Sequence, residues 1–183
     1  MRAKIRENQQ QAMELLLVEA THKKEDIEVL WHEFKADYFL RYSPAQINWH
    51  TQHIIAHDRS KPFVLISPTP YRGGTEVFVF TKERANIFAN TVSILANKKL
   101  SIHDAKIITS KTGYTLNTFV VLDQRSRPID DQYRAKEIAH KLTNALNKAD
   151  LNGVTILPIS KRFEQFNIPT KVSFVDTDTK RST

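Results

Sequence analysis

The sequence predicts an α+β fold, with N-terminal helices ahead of an antiparallel sheet that is backed by two further helices. Three observations predict it. Between Glu76 and Asp123 the chain holds a short apolar run of strand length, a helical segment, and two more alternating runs joined by a tight turn. A second amphipathic helical pattern comes next, opened by Asp130 and Asp131, and Thr170–Asp176 (TKVSFVD) alternates again. From Thr75 onward the order is therefore β-α-β-β-α-β, the split-βαβ or ferredoxin-like arrangement, in which two helices cover one face of a four-stranded sheet.

The first sixty residues read as about three helices. Residues 1–20 contain ENQQQAMELLLVEA, rich in good helix formers and free of Gly and Pro. Thr21 to Lys24 interrupts this pattern, and Glu25 and Asp26 place negative charge where the next helix starts. Ile27, Leu30, Trp31, Phe34 and Tyr38 recur at spacings of three and four and form one apolar face. Ser43-Pro44 is a start signal, a capping serine before proline at the first helical position, after which Ile47, His50, Thr51 and Ile54 share a face. Three short helices with so few apolar residues make a poor independent core and are expected to form a collar on the remainder of the chain.

Phe63 to Ser67 (FVLIS) is a continuous apolar run of strand length, and a loop with Pro68, Pro70 and Arg72-Gly73-Gly74 separates it from Thr75–Thr81 (TEVFVFT), a hairpin or neighbouring pair. In the latter, Val77 and Val79 point one way and Phe78 and Phe80 the other, so both sheet faces are apolar. One face is expected to carry helices, the other to be covered by the N-terminal helices or by another subunit. A helix is predicted from Ala85 to Lys99, with Phe88, Val92, Leu95 and Lys99 along one line and Ile87, Thr91 and Ile94 beside it. Ser101–Ser110 alternates weakly, Lys111-Thr112-Gly113-Tyr114 is a hairpin turn with glycine at a positive φ, and Thr115–Asp123 is the strongest strand. The last helix has Ala135, Ile138, Ala139, Leu142, Ala145, Leu146 and Ala149 on its apolar line and stops before Asn152-Gly153; residues 153–169 read as irregular.

Composition narrows the chemistry. The chain has 183 residues, no cysteine and a net charge of +7. Without cysteine there are no disulfides, thiolate metal sites or thiol nucleophiles, which fits a reducing cytoplasm. No apolar run approaches the roughly 20 residues of a membrane span, so a soluble protein without a membrane partner is expected. Lys and Arg are interleaved with acids, as in KKEDIE and TKERAN, which reads as a solvated face or an acidic protein partner rather than a nucleic-acid stripe. A nucleic-acid-binding sheet would want exposed aromatics on its central strands, and Phe119 is the only one on the third.

Catalytic patterns are missing. His50, His53 and His57 share one helix, but no acidic residue joins them before Asp58. The dipeptides His57-Asp58 and His103-Asp104 lack the further ligands a metal-dependent phosphohydrolase needs, and on a strand the neighbours His103 and Asp104 point to opposite faces. Asp176-Thr177-Asp178 has no phosphate loop beside it, and Gly73-Gly74 matches no nucleotide-binding pattern. No catalytic residue and no metal ligand is assigned. What remains is binding: the loop Lys82–Asn86 precedes a helix N-terminus whose N–H groups can take a carboxylate, and a second subunit alongside would supply the start of the Ser101–Asp104 strand.

The segments ADYFLRYSPAQINWHTQHI, SKPFVLISP, RGGTEVFVFT and LSIHDAKIITSKTGYTLNTFVVLD together resemble one family, the bifunctional uridylyltransferases and uridylyl-removing enzymes that modify the bacterial nitrogen-regulatory protein PII. The resemblance covers essentially the whole chain. It implies the family's order of nucleotidyltransferase, HD phosphohydrolase and two ACT domains, with this chain lacking both catalytic domains. Residues 1–61 would be the helical connection after the HD domain, 62–176 the first ACT domain with an added N-terminal strand that Thr170–Asp176 closes, and 177–183 the linker to a second ACT domain. The resemblance also implies a regulatory role in sensing L-glutamine, with PII as partner through the parent enzyme and other ACT domains, or a second copy, as pairing partners. The parent family uses Mg²⁺; no cofactor is implied for this segment. The ligand residues it implies are Thr81, Lys82, Glu83, Arg84, Ala85 and Asn86, with Ile102, His103 and Asp104. The usual ACT loop has Asp and then Pro-Gly-Leu; here Glu83 stands for the Asp and Asn86 falls where Gly is expected. A ligand-free dimerisation or docking module is the alternative.

Overall fold

The computed structural model describes residues 1–19, 22–67 and 69–152. Four helices come first: α1 (Arg2–Glu19), α2 (Lys24–His32), α3 (Ala36–Arg41) and α4 (Pro44–Ala56). After them come β1 (Phe63–Ile66), β2 (Thr75–Lys82), α5 (Ile87–Asn97), β3 (Ser101–Thr109), β4 (Tyr114–Leu122) and α6 (Gln132–Asn152). The expected Ile27–Tyr38 helix is two helices. Its apolar line is buried throughout, but the chain turns at Glu33–Lys35, where Lys35 has extended backbone angles. Partners outside the helix favour the break. Lys111 N donates to Glu33 O at 2.7 Å, Lys111 Nζ donates to His32 O at 2.8 Å, and the Glu33 carboxylate receives Arg59 and Thr112. The carbonyls that a continuing helix would have bonded are satisfied from the β3–β4 turn instead.

The start of α4 is as its residues predict. Ser43 Oγ accepts from Gln46 N, and Gln46 Oε1 accepts from Ser43 N, a complete capping box with proline at the first position.

The four strands form one antiparallel sheet in the order β1-β2-β4-β3, the α+β ferredoxin-like arrangement. The expected closing strand Thr170–Asp176, and the irregular 153–169, lie outside the described residues. The edge of β2 that a closing ferredoxin-like strand would take is held by β1, with Phe63 opposite Phe80 and Ile66 opposite Val77. The run FVLIS is thus part of the four-stranded sheet. Its short connection to β2 favours antiparallel pairing without a crossover. Gly74 ends that connection. A Cβ there would lie 2.6 Å from Val120 Cγ1 and 3.0 Å from the Val121 carbonyl oxygen, so only glycine lets the loop press against β4.

The sheet lies between two helical layers. On one face Phe63, Phe78, Phe80, Ile108 and Leu116 pack with Leu16, Ile27, Trp31, Tyr38 and Ile54 of the N-terminal helices. On the other, Val77, Val79, Phe119 and Val121 pack with Leu95 of α5 and Ile138, Leu142 and Leu146 of α6. The N-terminal helices therefore cover the second apolar face predicted for β2. The buried line of α5 is Ile87, Thr91 and Leu95; Phe88, expected to head that line, is 40% exposed. The helix starts at Ile87, and its buried face follows the neighbouring line of Ile87 and Thr91 while keeping Leu95.

The weak alternation of β3 has a structural cause. Ile102 faces Val121 and Asp104 faces Val120, so His103 is the extra residue of a β-bulge. Ile102 packs toward the α5/α6 layer, whereas Ile108 joins the N-terminal core and Lys106 lies over Tyr42. The bulge switches which parity faces which layer. No helix among the described residues is long and apolar enough to cross a membrane.

Candidate functional site

The loop after β2 is held at both ends. Glu83 N donates to Gly113 O at 2.8 Å, which ties the loop to the β3–β4 turn. Arg84 Nη2 donates to the Leu146 carbonyl of α6 at 2.6 Å, and burial lowers the pKa of that guanidinium below its ordinary value. Asn86, just before α5, has φ +64° and ψ 7°, the left-handed conformation that glycine takes most freely and asparagine tolerates.

Between this loop and the sheet is a cleft of about 340 Å³, lined by Glu83, Arg84, Asn86, Ile107, Thr115 and Asn117 among others. Its floor is polar: Thr115 Oγ1 donates to Asn117 Oδ1 at 2.8 Å, and both residues are buried. Its mouth is apolar. Phe88 stacks on Phe119 with centroids 5.6 Å apart, and Ile107 is 48% exposed. A carboxylate, a guanidinium and a hydroxyl-amide floor suit recognition of a small polar molecule and provide no activated nucleophile.

Of the nine candidate residues, Glu83, Arg84 and Asn86 meet in this cleft. Thr81 is buried in β2; Lys82 and Ala85 are exposed beside the cleft. Ile102, His103 and Asp104 lie at the far end of β3: Ile102 packs against the α5/α6 core, His103 approaches Ser101 Oγ at 3.3 Å, and Asp104 lies 3.8 Å from Arg72. Within one chain they do not share the cleft with the loop. Ile107, Thr115 and Asn117 were not singled out from sequence. Asn117 carried a readable signal, a polar residue on the same strand face as Phe119 and Val121.

His50 and His53 lie on α4, while His57, read from sequence as on the same helix, follows its last residue with extended backbone angles; the three have separate surroundings. His53 Nδ1 lies 2.8 Å from the Trp49 carbonyl, and His57 packs on Phe63 at 4.1 Å between centroids. His50 is fully buried and stacks on Phe78 at 4.2 Å. Its Nδ1 lies 3.2 Å from the Tyr38 hydroxyl and its Nε2 3.5 Å from Glu76 Oε1. Burial keeps Tyr38 protonated well above its ordinary range, so its hydroxyl stays a neutral hydrogen-bonding partner of the imidazole. Among the described residues no three His, Asp or Glu side chains converge as a metal site.

Residues 1–53 match the family model for the fifth domain of the uridylyltransferase GlnD. The whole chain is 44% identical to the bifunctional uridylyltransferase/uridylyl-removing enzyme of Vibrio cholerae, covering 21% of that protein, and equally so to that of Vibrio parahaemolyticus. The chain corresponds in sequence to a C-terminal region of the bifunctional uridylyltransferase/uridylyl-removing enzymes. The enzyme from Photobacterium profundum is 43% identical over 182 residues, 20% of its length. The chain thus spans about a fifth of the curated relatives it matches. No solved structure matches it. The family-model match ends inside α4, so it takes in the helical layer, while the relatives extend through the sheet and the cleft.

Proposed function

We propose that this chain is a regulatory ACT-type module of a uridylyltransferase/uridylyl-removing enzyme, and that it takes L-glutamine in the cleft between the β2–α5 loop and the β3–β4 strands. The observation that carries the reading is the convergence of Glu83, Arg84 and left-handed Asn86 over the Thr115–Asn117 floor. Glu83 suits the ligand's ammonium, Arg84 its carboxylate, and the floor its amide. Occupancy would report nitrogen status in the cytoplasm and shift the parent enzyme between adding uridylyl groups to PII and removing them. Pairing with another ACT unit, or with a second copy, would bring Ile102–Asp104 of the neighbour toward the loop.

Calorimetry with L-glutamine tests this reading. Binding heat that disappears in Glu83→Gln and weakens in Asn86→Ala supports it. No heat at millimolar glutamine favours a ligand-free docking module, a reading supported by the exposed Phe88 and Ile107 at the cleft mouth. Sedimentation tests the pairing: a strict monomer at all concentrations removes the neighbour's strand from the site.

A further inference from the structure

On the opposite face of the sheet Glu76 presents a different chemistry. It is 3% exposed, yet it carries a carboxylate at the layer boundary between α4 and β2. Its donor is Gln46 Nε2, 3.0 and 2.8 Å from its two oxygens, and His50 Nε2 lies farther off at 3.5 Å without a hydrogen bond. Both are neutral groups, because burial lowers the pKa of His50. Lys106, which lies 5.4 Å from the Tyr71 ring, donates to the Arg41 carbonyl at 3.0 Å. Buried carboxylates are ordinarily compensated by a cation, and no Lys or Arg ion pair to Glu76 exists among the described residues.

Glu76 also lines a cleft of about 340 Å³, together with Ser43, Gln46, Trp49, Ser67 and Tyr71. Trp49 and Tyr71 are half-buried and give it aromatic walls, and Ser43 and Ser67 give it hydroxyls. A carboxylate has about four acceptor positions, and Gln46 fills two. A buried anion beside aromatic rings and hydroxyls is a seat for an organic cation that also donates hydrogen bonds. We infer that this cleft binds a small primary ammonium compound, its –NH₃⁺ on Glu76 and its carbon chain between Trp49 and Tyr71. The volume suits a molecule of amino-acid size. A divalent metal is disfavoured because no second acidic residue or cluster of His, Asp and Glu adjoins Glu76 among the described residues. The site lies across the sheet from the β2–α5 cleft and does not depend on the function proposed for that cleft.

The test uses the full 183-residue chain labelled with ¹⁵N and titrated with propylammonium chloride, with tetramethylammonium chloride and sodium chloride as controls. The expected result is a saturable, millimolar shift of the Trp49 indole N–H and of the Ser43, Ala45 and Tyr71 amides, together with a rise in melting temperature. Neither control should reproduce it, since neither offers an N–H donor. Glu76→Gln, which keeps the shape but removes the charge and turns one acceptor oxygen into an N–H donor, should weaken binding about tenfold or more, while Glu83→Gln should leave it unchanged. Tyr71→Leu provides a second variant on the cleft wall, expected to weaken binding with Glu76 intact. Equal shifts with sodium or tetramethylammonium, unaltered binding in both Glu76→Gln and Tyr71→Leu, or perturbations that map away from the cleft would overturn the inference.

Discussion

One amide nitrogen, Gln46 Nε2, reaches both carboxylate oxygens of Glu76, at 3.0 and 2.8 Å, while the same side chain's Oε1 closes the α4 capping box. A single glutamine thus starts a helix and fastens it to the sheet. Gln46→Ala should cost about 2–3 kcal/mol, since it removes the donor of a buried carboxylate as well as a cap partner. Gln46→Leu with Glu76→Leu should cost less than the two single changes summed, because the stranded charge goes with its donor. Urea unfolding of the four proteins measures this.

His50 should make the fold sensitive to mild acid. Burial lowers its folded-state pKa below the ordinary 6.5, with Glu76 opposing only in part. Below pH 6.5 the unfolded chain therefore binds a proton that the folded chain does not, and stability falls as pH drops toward the folded value. His50→Gln should reduce the slope of the urea midpoint over that window, leaving the smaller share of His57, whose pKa burial also lowers. A second limb lies lower. The hydrogen bond from Arg59 holds the Glu33 carboxyl below its ordinary 4.5, so its contribution is present above that pH and is lost as pH falls through the lowered folded value. Glu33→Gln should remove this limb and leave the His50 limb in place.

Gly74 should tolerate no side chain. The contact of 2.6 Å with Val120 Cγ1 and 3.0 Å with backbone at Val121 puts the added methyl against β4. Gly74→Ala should lower stability by about 1–3 kcal/mol. Gly73→Ala places its methyl in open space and carries only the strain of its φ of +79°, about 1–2 kcal/mol. Thermal melts of the two separate steric from conformational cost.

Asn86 should respond in the opposite direction to glycine. At φ +64° Asn86→Gly relieves backbone strain and should be neutral or stabilising, whereas Asn86→Ala should cost about 1 kcal/mol. If the loop is a ligand site, the glycine variant should also bind L-glutamine at least as well as the parent chain, read by calorimetry.

Leu142→Ala should lower stability by about 2–5 kcal/mol, because Leu142 is fully buried in the core that joins α6 to the sheet. The urea midpoint reports it. A loss well below that range would show that α6 is not docked through this residue.

Periodicity alone determined much of this protein. The period-two pattern of Thr75–Thr81 with apolar residues on both sides required a sheet covered on two faces, and Ser43-Pro44 with Gln46 located the start of α4, since caps and alternation are properties of local backbone geometry. Tertiary structure decided what depends on partners distant in sequence. Lys111 and Thr112 end α2 near Glu33; β1 takes the edge of β2; the bulge at His103 turns Lys106 toward Tyr42. The candidate loop was legible from its place before a helix N-terminus and from the resemblance, but its floor of Thr115 and Asn117 was not, being supplied by a strand about thirty residues away. Glu76 was visible only as part of RGGTE, and burial by Gln46 and His50, placed there by a helix thirty residues earlier, made it a charge in need of a partner.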